Sequence, residues 1–409
     1  MTAPAVTSEI GKLRTVMVHR PGVAIARITP ADKETLLFDD VLWLERAQEE
    51  HDEFTGILRS RGVEVLYFEE LLRDILGDAA VREQLIDTVI TPARIGREVA
   101  ERVQAMLRDA PVERVSDVMI GGILRSELEE WGIEDPFGNL GVERSPYELH
   151  PLPNLLFMRD NAAWVGDGLI NSVMATRARF YEPLLVRAIY DHHSRFTNPD
   201  RTVWYGDAPD EELPATIEGG DVLVLSEETV AVGLSERTRS AAVEMLAHNL
   251  FAGSAVRNVV VVDLGSGRAV MHLDTVLTMV DRNMFNVFPG AIAGVGVEVI
   301  RPGPNGTITV EPYDSLSTAL ADALGAEVEF VPKAGDAIGG LREQWDDGHN
   351  TLAIEPGVVV AYERNSETNR RLGEAGIEVL EFGAGELGRG RGGSRCMTQP
   401  ILRDPVPGS

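Results

Sequence analysis

The chain has 409 residues, 44% of them hydrophobic and 25% charged, enough to bury a large core as one big domain or two. Its 38 basic and 65 acidic residues give a net charge of −27, which argues against nucleic acid or an anionic membrane surface as partner. A single cysteine excludes an intrachain disulfide, the first residues lack a signal-peptide pattern and no apolar run approaches bilayer length, so the expected address is the cytoplasm.

In chain order, the run from Lys12 to His19 reads as a strand, ended by Pro21-Gly22. A polar helical stretch from Trp43 to Ser60 follows, and Arg61-Gly62-Val63-Glu64-Val65 reads as a glycine helix stop feeding a strand. The same ending recurs at Leu324-Gly325-Ala326 and at Ala375-Gly376-Ile377, which suggests an internal repeat. Hairpin-like strand pairs begin near Asn154 (Leu155 to Met158, then Leu169 to Val173), near Asp221 (Val222 to Leu225, then Thr229 to Val232), near Asp274 (Val276 to Val280, then Met284 to Phe288) and near Asn350 (Leu352 to Ile354, then Val358 to Tyr362). All but the Asp274 pair run quickly into a helical segment, such as Tyr181 to His192 with Pro183 in its first turn.

Counting the N-terminal stretch, five ββαβ units emerge. Units that cannot bury their own faces must pack together, so the predicted fold is α/β, a five-bladed pseudo-symmetric α/β propeller. Its first unit spans 1–68. Residues 69–148 form an inserted helical domain, with segments such as 79–89 and 95–107, read as scaffold or oligomer contact. The remaining units and a C-terminal catalytic loop occupy 149–409.

Polar residues interrupt the apolar strand starts. Asn154 and Asp160 flank an apolar run, Glu218 precedes Gly219-Gly220-Asp221, and His272 stands two residues before Asp274. In a strand, residues two apart share a face, so His272 and Asp274 are expected to point into one cavity. Cys396 follows a loop in which glycines alternate with arginines, Gly388-Arg389-Gly390-Arg391-Gly392-Gly393. Such a loop brings backbone close to a ligand and moves as a lid. Each group also has an ordinary reading: a turn capped by Asp221, a satisfied core histidine, a divalent-metal cluster of His272, Asp274 and Asp221, or a small apolar cysteine.

Together, Pro153 to Asp160, Glu218 to Asp221, Met271-His272-Leu273-Asp274-Thr275, Gln344-Trp345-Asp346-Asp347-Gly348 and Gly388 to Pro400 resemble the bacterial arginine deiminases of the guanidine-modifying superfamily, in order and spacing along nearly the full chain. The helical insertion is part of the match. Met158 stands where that family usually has threonine, and Ser394 and Arg395 lie where it varies. The resemblance implies hydrolysis of free L-arginine to L-citrulline and ammonia with neither metal nor organic cofactor; a homo-oligomer is expected, with the helical insertion as a candidate contact.

On that resemblance, Asp160 and Asp274 clamp the guanidinium, a planar cation suited to paired carboxylates. Cys396 is the nucleophile toward a poorly electrophilic carbon, forming a thiouronium intermediate. His272 acts as acid and then base, with Glu218 orienting it. Arg179 and Arg237 receive the α-carboxylate, Asn154 reaches the α-amino end, and Arg391 closes from above. The rival readings are an agmatine deiminase or amidinotransferase of the same superfamily, and a non-catalytic arginine-binding relative.

Overall fold

The structure, a computed structural model, describes residues 3–135, 145–207, 215–331 and 337–406. Gly62, Gly325 and Gly376 adopt positive φ (80°, 65° and 89°) just behind the helices Leu44–Ser60, Leu316–Leu324 and Ser366–Glu374, a conformation that penalises any residue with a Cβ. Each exit feeds a strand, Glu64–Tyr67, Glu329–Val331 or Glu378–Phe382, which joins an earlier strand in parallel. A parallel neighbour needs a crossover connection. The helix supplies it.

Among the described residues, five sheets share one local order, in which a middle strand pairs antiparallel with one neighbour and parallel with the other. Ala162–Val165, Gly168–Asn171 and Val203–Tyr205 form one; Leu277–Asp281, Met284–Val287 and Glu329–Val331 another; Leu352–Glu355, Val358–Tyr362 and Glu378–Phe382 a third. Val222–Val224, Thr229–Leu234 and Asn258–Asp263 are extended by the hairpin of Gly296–Pro302 and Ile308–Tyr313. That hairpin explains why the pair after Asp274 does not run straight into a crossover helix: the chain first crosses to the neighbouring sheet. In the remaining sheet, Leu13–Val18 pairs with Glu64–Tyr67 on one side and with Gln399–Arg403 on the other. The segment 1–68 therefore takes its antiparallel partner from the far end of the chain, and Cys396 sits on the turn leading into that partner. The whole is a mixed α/β fold.

The insertion is built from Phe68–Leu76, Ala79–Val89, Arg97–Arg108 and Val112–Gly121 with shorter helical turns. The Asp78 carboxylate accepts from the amides of Ala80 and Val81 and starts the second of these. Leu72, Ile86, Val103 and Val115 are fully buried between the helices. A two-stranded ribbon of Ile123–Leu124 and Tyr147–Leu149 also lies here, a β element that the helical reading did not anticipate.

The predicted strand from Leu155 to Met158 is absent. Pro153–Leu156 and Met158–Asn161 are two short 3-10 turns, and the strand begins at Ala162. An apolar run buried on every side carries no periodicity to separate strand from turn; Leu155, Leu156 and Met158 are all fully buried. Pro153 favours the turn, and the Arg159 amide donates to the Cys396 carbonyl at 3.0 Å rather than to a neighbouring strand.

Candidate active site

The residues that interrupt the apolar pattern sit on tight turns at the entrances to the sheets. Asp160 lies in the turn Met158–Asn161, Glu218 precedes the turn Gly219–Asp221, His272 precedes Leu273–Thr275, and Cys396 lies in a turn before Gln399–Arg403. This overturns the strand argument for His272 and Asp274, since a 3-10 turn has no two-residue alternation. They reach one site because the turns pack on each other. A Cβ on Gly219 would stand 2.1 Å from the Arg159 carbonyl oxygen, and one on Gly220 would stand 2.7 Å from both Asp160 Oδ1 and His272 Nδ1. The two glycines are the space that allows carboxylate and imidazole to meet. Asp221 ties the next turn in place, accepting from the Leu273 amide and the Ser235 hydroxyl, each at 2.8 Å. Burial lifts its pKa to about 7 against the pull of His272.

His272 is buried, with Nε2 2.8 Å from Glu218 Oε2 and Nδ1 3.5 Å from Asp160 Oδ1. Burial alone would lower its pKa, but Asp160, the Glu218 hydrogen bond and Asp221 outweigh that and raise it to about 9. Glu218 moves the other way: burial pushes up, while His272, Arg237 and Arg179 bring it down to about 2. The pair is an imidazolium and a carboxylate at neutral pH. Cys396 is 3% exposed, its amide donates to Asn350 Oδ1 at 2.9 Å, and Sγ lies 3.6 Å from Asp274 Oδ2. Burial first, then Asp274, Asp160 and Asp347, drive the thiol pKa well above its usual value. The free site therefore holds a thiol, not a thiolate.

The two predicted clamp carboxylates are built alike. Asp160 Oδ2 accepts from Arg179 Nη1, and Asp274 Oδ2 accepts from Arg395 Nη1 at 2.7 Å. In each case the other oxygen, Oδ1, accepts no hydrogen bond among the described residues. Buried carboxylate oxygens are rarely left so. Each carboxylate has one anchored oxygen and one that accepts no hydrogen bond, the Asp160 one facing His272 Nδ1 at 3.5 Å, so each can take a further donor.

Arg179 is the anchor for Asp160. Its Nε and Nη2 donate to Glu182 Oε2 at 3.0 and 2.9 Å, and Nη2 also reaches the carbonyls of Asn154 and Phe157 at 3.1 and 3.3 Å. All three nitrogens are engaged, so Arg179 has little left for a substrate carboxylate. Arg237 Nη1 lies 3.4 Å from Glu218 Oε2 and Nε lies 3.3 Å from Glu236. Asn154 donates its side-chain amide to the Leu36 carbonyl at 2.8 Å. Arg391 is different. It is buried, its Cζ stands 3.6 Å from the centroid of the Trp345 ring, and none of its three guanidinium nitrogens has a hydrogen-bond partner among the described residues. Its backbone is left-handed, φ 65°, and the glycines beside it press on Phe157: a Cβ on Gly392 would come within 2.4 Å of that ring.

Asn154, Phe157, Asp160, Arg237, His272, Arg391 and Cys396 all border a cavity of about 20 Å³, room for roughly one water. Residues 36–43 roof it together with the glycine-arginine loop, through Trp43 N to Glu386 at 2.8 Å, Asp39 N to the Arg389 carbonyl at 3.2 Å, and Arg389 to Asp40. This is a closed site. Sequence reasoning missed the roles of Glu182, Arg395, Glu9 and Asn350; Arg395, adjoining the cysteine, and Asn350, at a strand-pair start like Asn154 and Asp274, had a local cue.

Asp160, Glu218 and His272 form the one cluster among the described residues with metal-like spacing. Apart from Asp160 Oδ1, its carboxylates are engaged by cations, with Arg179 on Asp160, Arg237 on Glu218 and the His272–Glu218 hydrogen bond between them. Two buried guanidinium groups on the carboxylates oppose a further dication, so the set fits an imidazolium clamp better than a metal.

The pKa shifts set a pH dependence. A histidine raised from 6.5 to about 9 contributes stability that is complete below pH 6.5 and lost as pH rises through 9, and it is a competent proton donor over the same range. The kcat/KM profile is expected to fall as pH rises through about 9; a profile level through that region contradicts His272 as the acid. Glu218, lowered to about 2, contributes stability above pH 4.5 that is lost as pH falls through 2.

The chain is similar to known proteins in sequence and in fold. The family model described as arginine deiminase matches residues 34–403. The chain is 43% identical over 402 residues to an arginine deiminase of Mycobacterium marinum, covering 98% of both chains. It is 42% identical over 401 residues to one of Rhodococcus opacus, covering 98% of this chain and 97% of that one. Among solved structures, it is similar to an amidinotransferase from Microseira wollei, with a TM-score of 0.58 at 14% identity over 99% of each chain. A dimethylarginine dimethylaminohydrolase gives 0.52 at 14% identity over 95% of this chain and 100% of the other. The last two likenesses concern the fold alone.

Proposed function

Since the chain belongs to the arginine deiminase family and is a hydrolase acting on the guanidino group of arginine, we propose that Cys396, His272, Glu218, Asp160 and Asp274 perform the reaction. The observation that carries this is the pair of half-open carboxylates beside a buried thiol, with an imidazolium–carboxylate pair next to them. A guanidinium entering between Asp160 and Asp274 gives each open oxygen an N–H donor. The same cation offsets the negative field that keeps Cys396 protonated, so the thiol releases its proton when substrate is bound.

The thiolate attacks the guanidinium carbon and gives a neutral tetrahedral adduct. His272 donates a proton to one amino group, ammonia departs, and a thiouronium remains on Cys396. Water then attacks the same carbon and loses a proton to the now neutral imidazole. The carbon–sulfur bond breaks, the adduct hydroxyl becomes the citrulline carbonyl, and its proton restores the thiol, the proton released from Cys396 on substrate binding having passed to solvent. Glu218 keeps the imidazole in place and favours its charged form throughout. Exclusion of bulk water by the roof loops protects the intermediate.

Recognition of the amino-acid end falls to Arg391, Arg237 and Asn154. Arg179 contributes by holding Asp160. A buried cation with no hydrogen-bond partner is costly even in the field of the Asp347 carboxylate, and an α-carboxylate supplies the missing hydrogen bonds. Arg391→Ala is therefore expected to raise KM for arginine about ten- to hundredfold, the worth of a charged hydrogen bond, and to leave turnover of agmatine, which has no carboxylate, unaffected. An unchanged KM for arginine removes Arg391 from recognition; a preference for agmatine in the parent protein favours the rival deiminase reading.

We further infer that the five sheets are blades of an α/β propeller whose entering turns meet at its axis. This rests on their shared strand order and on the convergence of Asp160, Glu218, His272 and Cys396. We place the protein in the cytoplasm, where a single catalytic thiol stays reduced, as a homo-oligomer.

A further inference from the structure

Among the described residues, the largest side chain buried to under 2% exposure is a charged one, Arg395, directly before the nucleophile. Its guanidinium makes a fork on Glu9, Nε to Oε2 at 2.9 Å and Nη2 to Oε1 at 3.0 Å. Nη2 also donates to the Val222 carbonyl at 2.9 Å, and Nη1 donates to Asp274 Oδ2 at 2.7 Å. Glu9 is itself buried and its Oε1 receives the Val224 amide at 3.4 Å. The arginine is thus pinned by the N-terminal segment and by the strand Val222–Val224, and its one remaining arm holds Asp274.

From this we propose that Arg395, braced by Glu9, is a positioning residue of the deiminase reaction. It fixes Asp274 by one oxygen so that the other faces the substrate guanidinium while Sγ of Cys396 stays within reach. The inference rests on the reading of Asp274 as a clamp. Two features separate it from simple core filling. Asp274 Oδ2 is shared between Arg395 Nη1 and the thiol at 3.6 Å, so the arginine governs which partner that oxygen serves. Asp274 Oδ1 has no partner of its own among the described residues, so Arg395 is the cation that sets the orientation of the carboxylate. A planar guanidinium can grip Glu9 with two parallel bonds and still reach Asp274; a lysine ammonium is a point charge and cannot do both.

The arrangement predicts a split between stability and turnover. Arg395→Met takes from Glu9 and Asp274 the cation hydrogen-bonded to both, leaving Glu9 only the field of Arg159 and Arg403, which lowers the thermal midpoint, and a misplaced clamp lowers kcat about 100-fold. The double variant Arg395→Met/Glu9→Gln removes one buried charge of each sign and is expected to regain most of the lost thermal midpoint. Its kcat stays low, because Asp274 is still loose, and KM for arginine rises with it, because the same carboxylate holds the substrate guanidinium. Arg395→Lys restores part of kcat through a single bond to Asp274.

The experiment measures kcat, KM and the thermal midpoint for the parent and the three variants with arginine. A double variant that regains both its midpoint and a kcat within about threefold of the parent, comparable with ordinary core repacking, overturns the proposal, as does a Lys variant no faster than Met. If Arg395→Met does not fold, the double and Lys variants still decide. Asp274→Asn separates the two levels: full activity in that variant sinks the clamp reading itself, whereas an inactive Asp274→Asn beside a fast double variant sinks only the role of Arg395.

Discussion

Cys396→Ala is expected to abolish citrulline formation, with a loss of at least about 10⁴-fold in kcat, while arginine still binds. The two effects separate because attraction and reaction are carried by different atoms. The open oxygens of Asp160 and Asp274 and the cation of Arg391 remain, so binding by calorimetry stays within about tenfold of the parent, one charged contact or less. What disappears is the one side chain at the site with the nucleophilicity to attack a carbon whose charge is spread over three nitrogens. Removing the thiol also removes the burden of ionising it among Asp274, Asp160 and Asp347, so tighter binding by the variant agrees with the mechanism. Residual turnover near the parent rate would remove Cys396 from it.

His272→Asn carries the second large effect. An asparagine keeps a hydrogen bond toward Glu218 but neither donates a proton to departing ammonia nor takes one from water, and kcat is expected to fall about 10²- to 10⁴-fold. Because His272 holds its proton up to about pH 9, the variant is also expected to lose the decline of kcat/KM above that pH. The two readouts protect each other. A slow variant that retains the parent's alkaline limb has lost packing and not an acid, which assigns that limb to a different group. Glu218, buried against both His272 and Arg237, is the control: its replacement by Gln shifts the alkaline limb to lower pH, since the imidazolium loses its partner.

Much of the architecture is legible because it depends on local rules. Positive φ behind a helix favours glycine, and Gly62, Gly325 and Gly376 all follow that preference. Pro183 lies in the first turn of Glu182–His192, and the predicted helix 79–89 coincides with Ala79–Val89. The hairpin after Asn350 falls on Leu352–Glu355 and Val358–Tyr362. What escapes the sequence is decided by distant parts of the chain. Leu155 to Met158 has the composition of a strand, yet its backbone bonds to Cys396 across the fold. His272 and Asp274 have strand spacing but lie on a 3-10 turn; they face the site because the Gly219-Gly220 turn lets them in. Nothing local shows that Gln399–Arg403 completes the sheet of Leu13–Val18, nor that Glu9 holds Arg395. Arg179 illustrates the same limit. The residue was legible as part of the site, but its engagement with Glu182 and Asp160 follows from the packing of the helix it precedes.

A single covalent bond is the centre of this account. Mixing the protein with arginine, quenching with acid during turnover and weighing the peptide that contains Cys396 tests it most directly. The expected product is that peptide heavier by the mass of arginine less ammonia, with the increment lost as substrate is exhausted. Citrulline accumulating while the Cys396 peptide stays unmodified at every quench time, or the increment residing on any other residue, contradicts it.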